Sequence, residues 1–246
     1  MRAPGVAIIF FLSVSPAAGF FEAFGQLAEQ LKAIEGSAPE NLESVLQEQD
    51  AGSAVRFTDV GTGDWFNRYV APVARWGIVT GYKDAGGKPT GVFGPGNTVT
   101  VAEILKMALK AAQVEETQCT GSTGLPQAET HWAKPFVICA RQKKVRLLRS
   151  TPDLNRPATR AEVLSVIFDA FRDEVPPLFA PFKDAAGHPL ESDIAYGAAL
   201  RMVSGDKDAS GKPKGTFRPD APVNRAEAAK ILYERLRVEV MGDPKK

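Results

Sequence analysis

Gly81 to Pro95 reads GYKDAGGKPTGVFGP, and Gly205 to Pro219 reads GDKDASGKPKGTFRP, identical at ten of fifteen positions. Such a match within one chain marks an internal repeat. It extends upstream, where Phe57-Thr58-Asp59-Val60 corresponds to Phe182-Lys183-Asp184-Ala185 and Gly77-Ile78-Val79-Thr80-Gly81 to Arg201-Met202-Val203-Ser204-Gly205. Downstream, Val99-Thr100-Val101-Ala102-Glu103 corresponds to Val223-Asn224-Arg225-Ala226-Glu227. A more decayed copy lies between them, from His131-Trp132 through Cys139-Ala140-Arg141 to Ala158-Thr159-Arg160-Ala161-Glu162; it lacks the Gly-Lys-Pro loop.

Each copy has one plan. A first helix carries apolar residues at helical spacing, as in Val70, Val73, Ala74 and Ile78 or in Ile194, Ala195, Ala198, Ala199 and Met202. A Gly/Pro-rich turn follows, Asp84 to Pro95 or Asp206 to Pro219, where proline stops a helix and glycine permits unusual backbone angles. A second helix closes the unit, with Ile104, Leu105, Ala108 and Leu109 in the first copy and Ile231, Leu232 and Leu236 in the last. Two short amphipathic helices in roughly 50 residues cannot cover their own apolar faces, so such units stack on one another.

The chain has 246 residues, 44% hydrophobic and 24% charged, which excludes disorder throughout. Thirty basic against 29 acidic residues is too balanced for a protein that holds nucleic acid by neutralising phosphates. Two His and two Cys exclude a His-rich zinc centre or a four-Cys cluster, and no metal ligand set or cofactor is expected. Arg2, the apolar run Val6 to Val14 and Ser15-Pro16-Ala17-Ala18-Gly19 have the order of a secretory signal cleaved near Gly19, and the run is too short to span a bilayer. The expectation is an exported protein with no transmembrane helix after cleavage. Export would permit a disulfide between Cys119 and Cys139 while leaving two free thiols open. From Phe20 to Gln49, Phe24, Leu27, Leu31 and Ile34 suggest a helical spacer.

The repeat resembles the S-layer homology family. Its pattern is carried here by Phe57-Thr58-Asp59-Val60, Trp65, Gly77-Ile78-Val79-Thr80-Gly81, Phe93-Gly94-Pro95 and Thr100-Val101-Ala102-Glu103, in that order. The resemblance implies a mainly α fold in which three tandem helix-loop-helix repeats form one pseudo-threefold module around a central helical bundle. The expected layout is a signal peptide at 1–19, a helical spacer at 20–56, repeat 1 at 57–112, a linker at 113–129, a degenerate repeat 2 at 130–175, repeat 3 at 176–240 and a tail at 241–246. It further implies a non-catalytic module that binds cell-wall polysaccharide, either a pyruvylated secondary polymer or peptidoglycan, at the cell surface, cell wall or periplasmic envelope. The alternative is a degenerate structural component that only packs against an envelope protein partner. No segment outside the repeats is large enough for a catalytic domain of usual size.

Thr100 with Glu103, and Thr159 with Glu162, have the spacing of a capping box, and Asn224 with Glu227 can do the same work, so these acids are expected to hold helix starts. Arg160 and Arg225 would then occupy the first helical position, where the macrodipole disfavours a cation by up to about 1 kcal/mol. A bound anion, met by the guanidinium and by free helix amides, would offset that; pairing with Asp153 or Asp220 is the competing explanation. Alanine at both arginines is expected to abolish wall binding with the fold intact. Val101 takes the arginine's place in the first copy and predicts a weak or unused groove there. Asp59, Asp184, Trp65, Gly81 and Gly205 complete the expected polysaccharide-binding set, with Trp76 and Trp132 as further flat faces. Asp206 to Gly211 begins like a calcium loop, but its twelfth position is Phe217, so a plain turn is expected. His131 and His188 have no ligand or nucleophile at a useful spacing.

Overall fold

Three of the helices begin where the expected capping pairs stand, at Thr100, Thr159 and Asn224. In the computed structural model, which describes residues 57–241, the helices are α1 (Asn67–Arg75), α2 (Val101–Ala111), α3 (Lys134–Gln142), α4 (Arg160–Phe171), α5 (Glu191–Ala199) and α6 (Arg225–Met241). Short 3-10 turns occupy Glu116–Gln118, Pro126–Ala128 and Arg146–Ser150. Among the described residues pairing of β type is confined to isolated bridges, so the fold is mainly helical. The expected signal peptide (1–19), the expected spacer (20–56) and all but the first residue of the expected tail (241–246) lie outside the described residues.

The first helix of each pair is shorter than its apolar spacing suggests. At the end of α1 the chain turns at Gly77 (φ 68°), whose N–H donates to Ala74 while that of Ile78 donates to Val73. That arrangement is a Schellman ending, and it places Ile78 in the turn, still buried. Lys144 and Arg201 adopt the same left-handed conformation after α3 and α5.

Helices α2, α4 and α6 touch one another at the centre. The outer helices are exchanged around this bundle: α3 packs on α2, α5 on α4, and α1 on α6, closing a ring. The segments before the central helices interlock in the same cyclic sense. Val99 N–H donates to Val223 O (2.9 Å), Val223 N–H to Ala158 O (3.2 Å) and Ala158 N–H to Val99 O (2.8 Å), with all three residues buried. One apolar core therefore runs through all three helix pairs. A single pair could not bury its own face, and here each covers its neighbour's.

The linker between α2 and α3 is held against the fold. Cys119 and Cys139 form a disulfide that ties it to α3, Arg141 Nε donates to Thr123 O (2.8 Å), and Leu125 and Ala128 are buried in the core.

Candidate functional site

The starts of the central helices are fully satisfied within the chain. Thr100 Oγ1 accepts from Glu103 N and Glu103 Oε2 accepts from Thr100 N; Thr159 with Glu162 does likewise. Asn224 Oδ1 accepts from Glu227 N (2.8 Å) and Glu227 Oε2 from Asn224 N (3.1 Å). The next two amides of each helix go to carbonyls of a neighbouring segment: Val101 and Ala102 to Arg156 and Leu154, Arg160 and Ala161 to Ala221 and Pro219, Arg225 and Ala226 to Asn97 and Pro95. The free helix amides expected to meet an anion are therefore already bonded.

The two arginines are buried, at 9% exposure for Arg160 and 5% for Arg225. Arg160 Nε donates to Phe217 O (2.9 Å), its guanidinium lies 4.6 Å from the Phe217 ring, and Glu227 is 3.6 Å away. Arg225 Nε donates to Phe93 O (2.8 Å), its other nitrogens reach Thr80 O (2.8 Å) and Glu103 (3.2 Å), and it stacks on Tyr82 and Phe93. Neither Asp153 nor Asp220 serves as partner: Asp153 caps Asn155 N, and Asp220 faces His188. Each arginine fastens the Phe loop and the cap glutamate of the next segment, so alanine there strips a buried carbonyl of its donor. That geometry argues against the expectation of a fold-neutral double variant.

The sequence explains why one junction lacks this arginine. In the middle segment the position of Phe93 and Phe217 is Pro152, which offers no aromatic face for a guanidinium, and the arginine that would reach it is replaced by Val101. Glu162 is instead held by Arg156 in a two-pronged pair, at 2.6 and 2.8 Å. Burial pushes the Glu162 carboxyl up, but Arg156 and the amide and hydroxyl of Thr159 together hold it below its ordinary value.

Asp59 and Asp184 are clamps on the Phe-x-Pro loops. Asp59 accepts from Phe93 N and Gly94 N, both at 2.7 Å, and Asp184 from Phe217 N (2.8 Å) and Arg218 N (2.9 Å). Desolvation raises Asp184, yet the Arg218 and Phe217 amides outweigh it and hold the carboxyl below its ordinary value. Gly81 and Gly205 are sites of close approach: a Cβ would lie 2.7 Å from Val92 O at Gly81 and 2.7 Å from Thr216 O at Gly205. The loops themselves are hairpin-like turns in which Asp84 Oδ1 and Asp208 Oδ1 each accept two backbone amides.

Trp65 stands apart from this scaffolding. It is 55% exposed and lines a groove of about 250 Å³. The groove draws on all three segments: Trp65 from the first, Arg160 from the middle, and Gly205, Lys207, Arg218 and Lys230 from the last. Arg218 is neutralised by Asp206, which it grips with Nε and a terminal nitrogen at 2.9–3.0 Å. That contact holds Asp206 below its ordinary value. Lys207 and Lys230 have no carboxylate partner among the described residues, and Lys230 Nζ lies 5.7 Å over the Tyr69 ring. Burial, with Arg218 adding to it against Glu227, pushes the Arg160 guanidinium down, as expected of a cation short of counter-charge. The sequence reading missed both lysines. Lys230 lies five residues after Arg225, as Lys106 lies five after Val101, and that spacing was the available signal.

Trp76 is half-buried against the core, whereas Trp132 is 54% exposed. No helix among the described residues is long and apolar enough to cross a membrane. A comparison with curated proteins yields no match to the chain. Two segments, residues 56–104 and residues 181–229, each carry a clamped Phe-x-Pro loop and a capped helix start, and each matches the S-layer homology domain.

Proposed function

We propose that the chain is an exported, non-catalytic anchoring module that binds an anionic cell-wall polysaccharide in the groove beside Trp65. On this reading the middle segment is a third, degenerate repeat, and the cyclic packing is the pseudo-threefold module that S-layer homology domains imply. The observation that carries it is a groove pairing an exposed indole face with two lysines that lack acidic partners. An aromatic face suits a sugar ring, and unpaired cations suit a carboxylate or phosphate on it. Arg160, which lines the groove, then holds the Phe217 loop while lending its charge.

The test is co-sedimentation of the mature chain with purified sacculi, before and after hydrofluoric acid removes phosphodiester-linked polymers. Binding lost on stripping identifies a secondary polymer as the anchor. Binding retained identifies peptidoglycan. A chain that sediments with neither preparation overturns the reading and leaves a packing component of the envelope, the role that the eroded middle segment would favour.

A further inference from the structure

The segment leaving α4 keeps apolar side chains out of the core. Whereas the linker between α2 and α3 buries Leu125 and Ala128, the run Val175-Pro176-Pro177-Leu178-Phe179-Ala180-Pro181 packs Val175 and Ala180 against the core and leaves Leu178 38% and Phe179 92% exposed. The exposure is built in. Leu178 N–H donates to Ser192 Oγ, and that hydroxyl lies 3.4 Å from Leu178 O as well, while Ala180 N–H donates to Glu191 Oε1 at 3.2 Å. Three prolines fix φ along the run. The backbone is thus fastened on both sides of Phe179 while its ring stays in solvent.

The same side of the molecule carries cations without counter-charge. Ser192 adjoins Asp193, which Arg146 grips at 2.6 and 3.2 Å; Arg146 also holds Asp169 at 2.8 Å, three residues before Arg172. Lys143 lies three residues before Arg146, and burial first, then Arg172, push its ammonium down. Lys144 and Arg172 are exposed, and neither they nor Lys143 have a carboxylate partner among the described residues. The buried and half-buried acids here are spent inside the fold, Asp169 and Asp193 on Arg146 and Asp173 on Arg235 at 2.6 and 2.8 Å. Glu174 is the exposed acid of the stretch.

We infer that this face docks on an anionic lipid surface, with Phe179 and Leu178 entering the apolar boundary and Lys143, Lys144 and Arg172 meeting the headgroup phosphates. A stable protein interface needs about 800 Å² of fitted surface on each partner, whereas one ring and one leucine on a stiffened loop offer a small apolar knob. A knob beside cations suits a soft interface, where a few apolar side chains insert and each nearby cation adds electrostatic attraction. An anionic surface also supplies the counter-charge that Lys143 lacks beside Arg172. None of these five residues lines the groove beside Trp65, so the inference does not rest on the polysaccharide reading. A chain using both faces would hold wall and membrane together.

The test is co-flotation of the mature chain with phosphatidylcholine vesicles, with and without about 30% phosphatidylglycerol, at low and high salt. The parent is expected to float with the anionic vesicles and to be released as salt rises. F179S should weaken this about tenfold or more, and K143Q/K144Q should do so on anionic vesicles alone, since each lysine contributes through lipid charge. Circular dichroism and thermal melting check that each variant keeps its fold. K207Q/K230Q should float like the parent; equal loss there would make overall charge the cause and overturn the inference. It is overturned too if the parent floats with neither vesicle, or if F179S floats as well as the parent. Self-association of the parent that F179S abolishes, without flotation, would make the face an interface between copies and end the lipid reading. Sacculus binding is measured in parallel and is expected to be unchanged in F179S, so the anchoring reading stands or falls by itself.

Discussion

Single residues in this chain hold loops in place. Gly205 is the sharpest case: Gly205→Ala drives a methyl against Thr216 O and the Phe182 ring, both 2.7 Å from where its carbon would sit. One of these is backbone and cannot swing aside, so the expected cost is about 1–3 kcal/mol by chemical denaturation, with Gly81→Ala similar. Asp184→Asn keeps the shape but surrenders one of two amide acceptors to an NH2 donor. It should destabilise the chain by about 1–2 kcal/mol while leaving Trp65, and any ligand stacked on it, in place. The glycines, aspartates and cap residues were all legible as recurring positions. What the sequence could not say is that Gly205 and Asp184 serve the loop that frames the groove beside Trp65, and that Gly81 and Asp59 do the same work for the Phe93 loop, since their contacts lie more than thirty residues away or across a turn.

At the scale of elements, capping and cross-linking decide where helices start and what the linker does. Thr159→Ala removes the acceptor for Glu162 N while leaving the backbone amide and the Arg156 pair that hold the Glu162 carboxylate, with an expected loss of about 1 kcal/mol in unfolding free energy. The Cys119–Cys139 bridge closes a loop of 20 residues, for which the chain-entropy estimate is on the order of 3 kcal/mol. Reduction should lower the thermal midpoint and expose the linker to protease at residues 119–128 before the helices open. Boundaries were the part of the element plan that sequence misjudged. Ile78 has the spacing of a helical residue, but a Schellman ending at Gly77 returns it to the core from a turn.

For the whole molecule, acid should loosen the junctions before the core. Glu162, Asp184 and Asp206 have carboxyls held below their ordinary values in the folded state, by Arg156, by backbone amides and by Arg218. A depressed folded value means that their stabilising contribution is complete above the ordinary carboxylate range and is lost as pH falls through the folded values. Asp169 opposes this, since burial raises it and its protonation relieves a cost. Melting midpoints are therefore expected to be level down to about pH 5 and to fall below it, with a shallower fall in Arg156→Gln. A steep loss between pH 7 and 6 would contradict this assignment.

The sequence by itself determined the repeat, the mainly helical class, the capped starts of α2, α4 and α6 and the mismatch at Val101, because these depend on neighbours within a few residues. Tertiary structure alone decided that outer helices exchange around the bundle, that helix amides pair across segments and that Arg160 and Arg225 are buried fasteners. It also brought Trp65, Lys207 and Lys230 to one groove. The physical reason is that caps and turns are satisfied locally, whereas a repeat that cannot bury its own apolar face finds its partners, and builds its grooves, on segments distant in the chain.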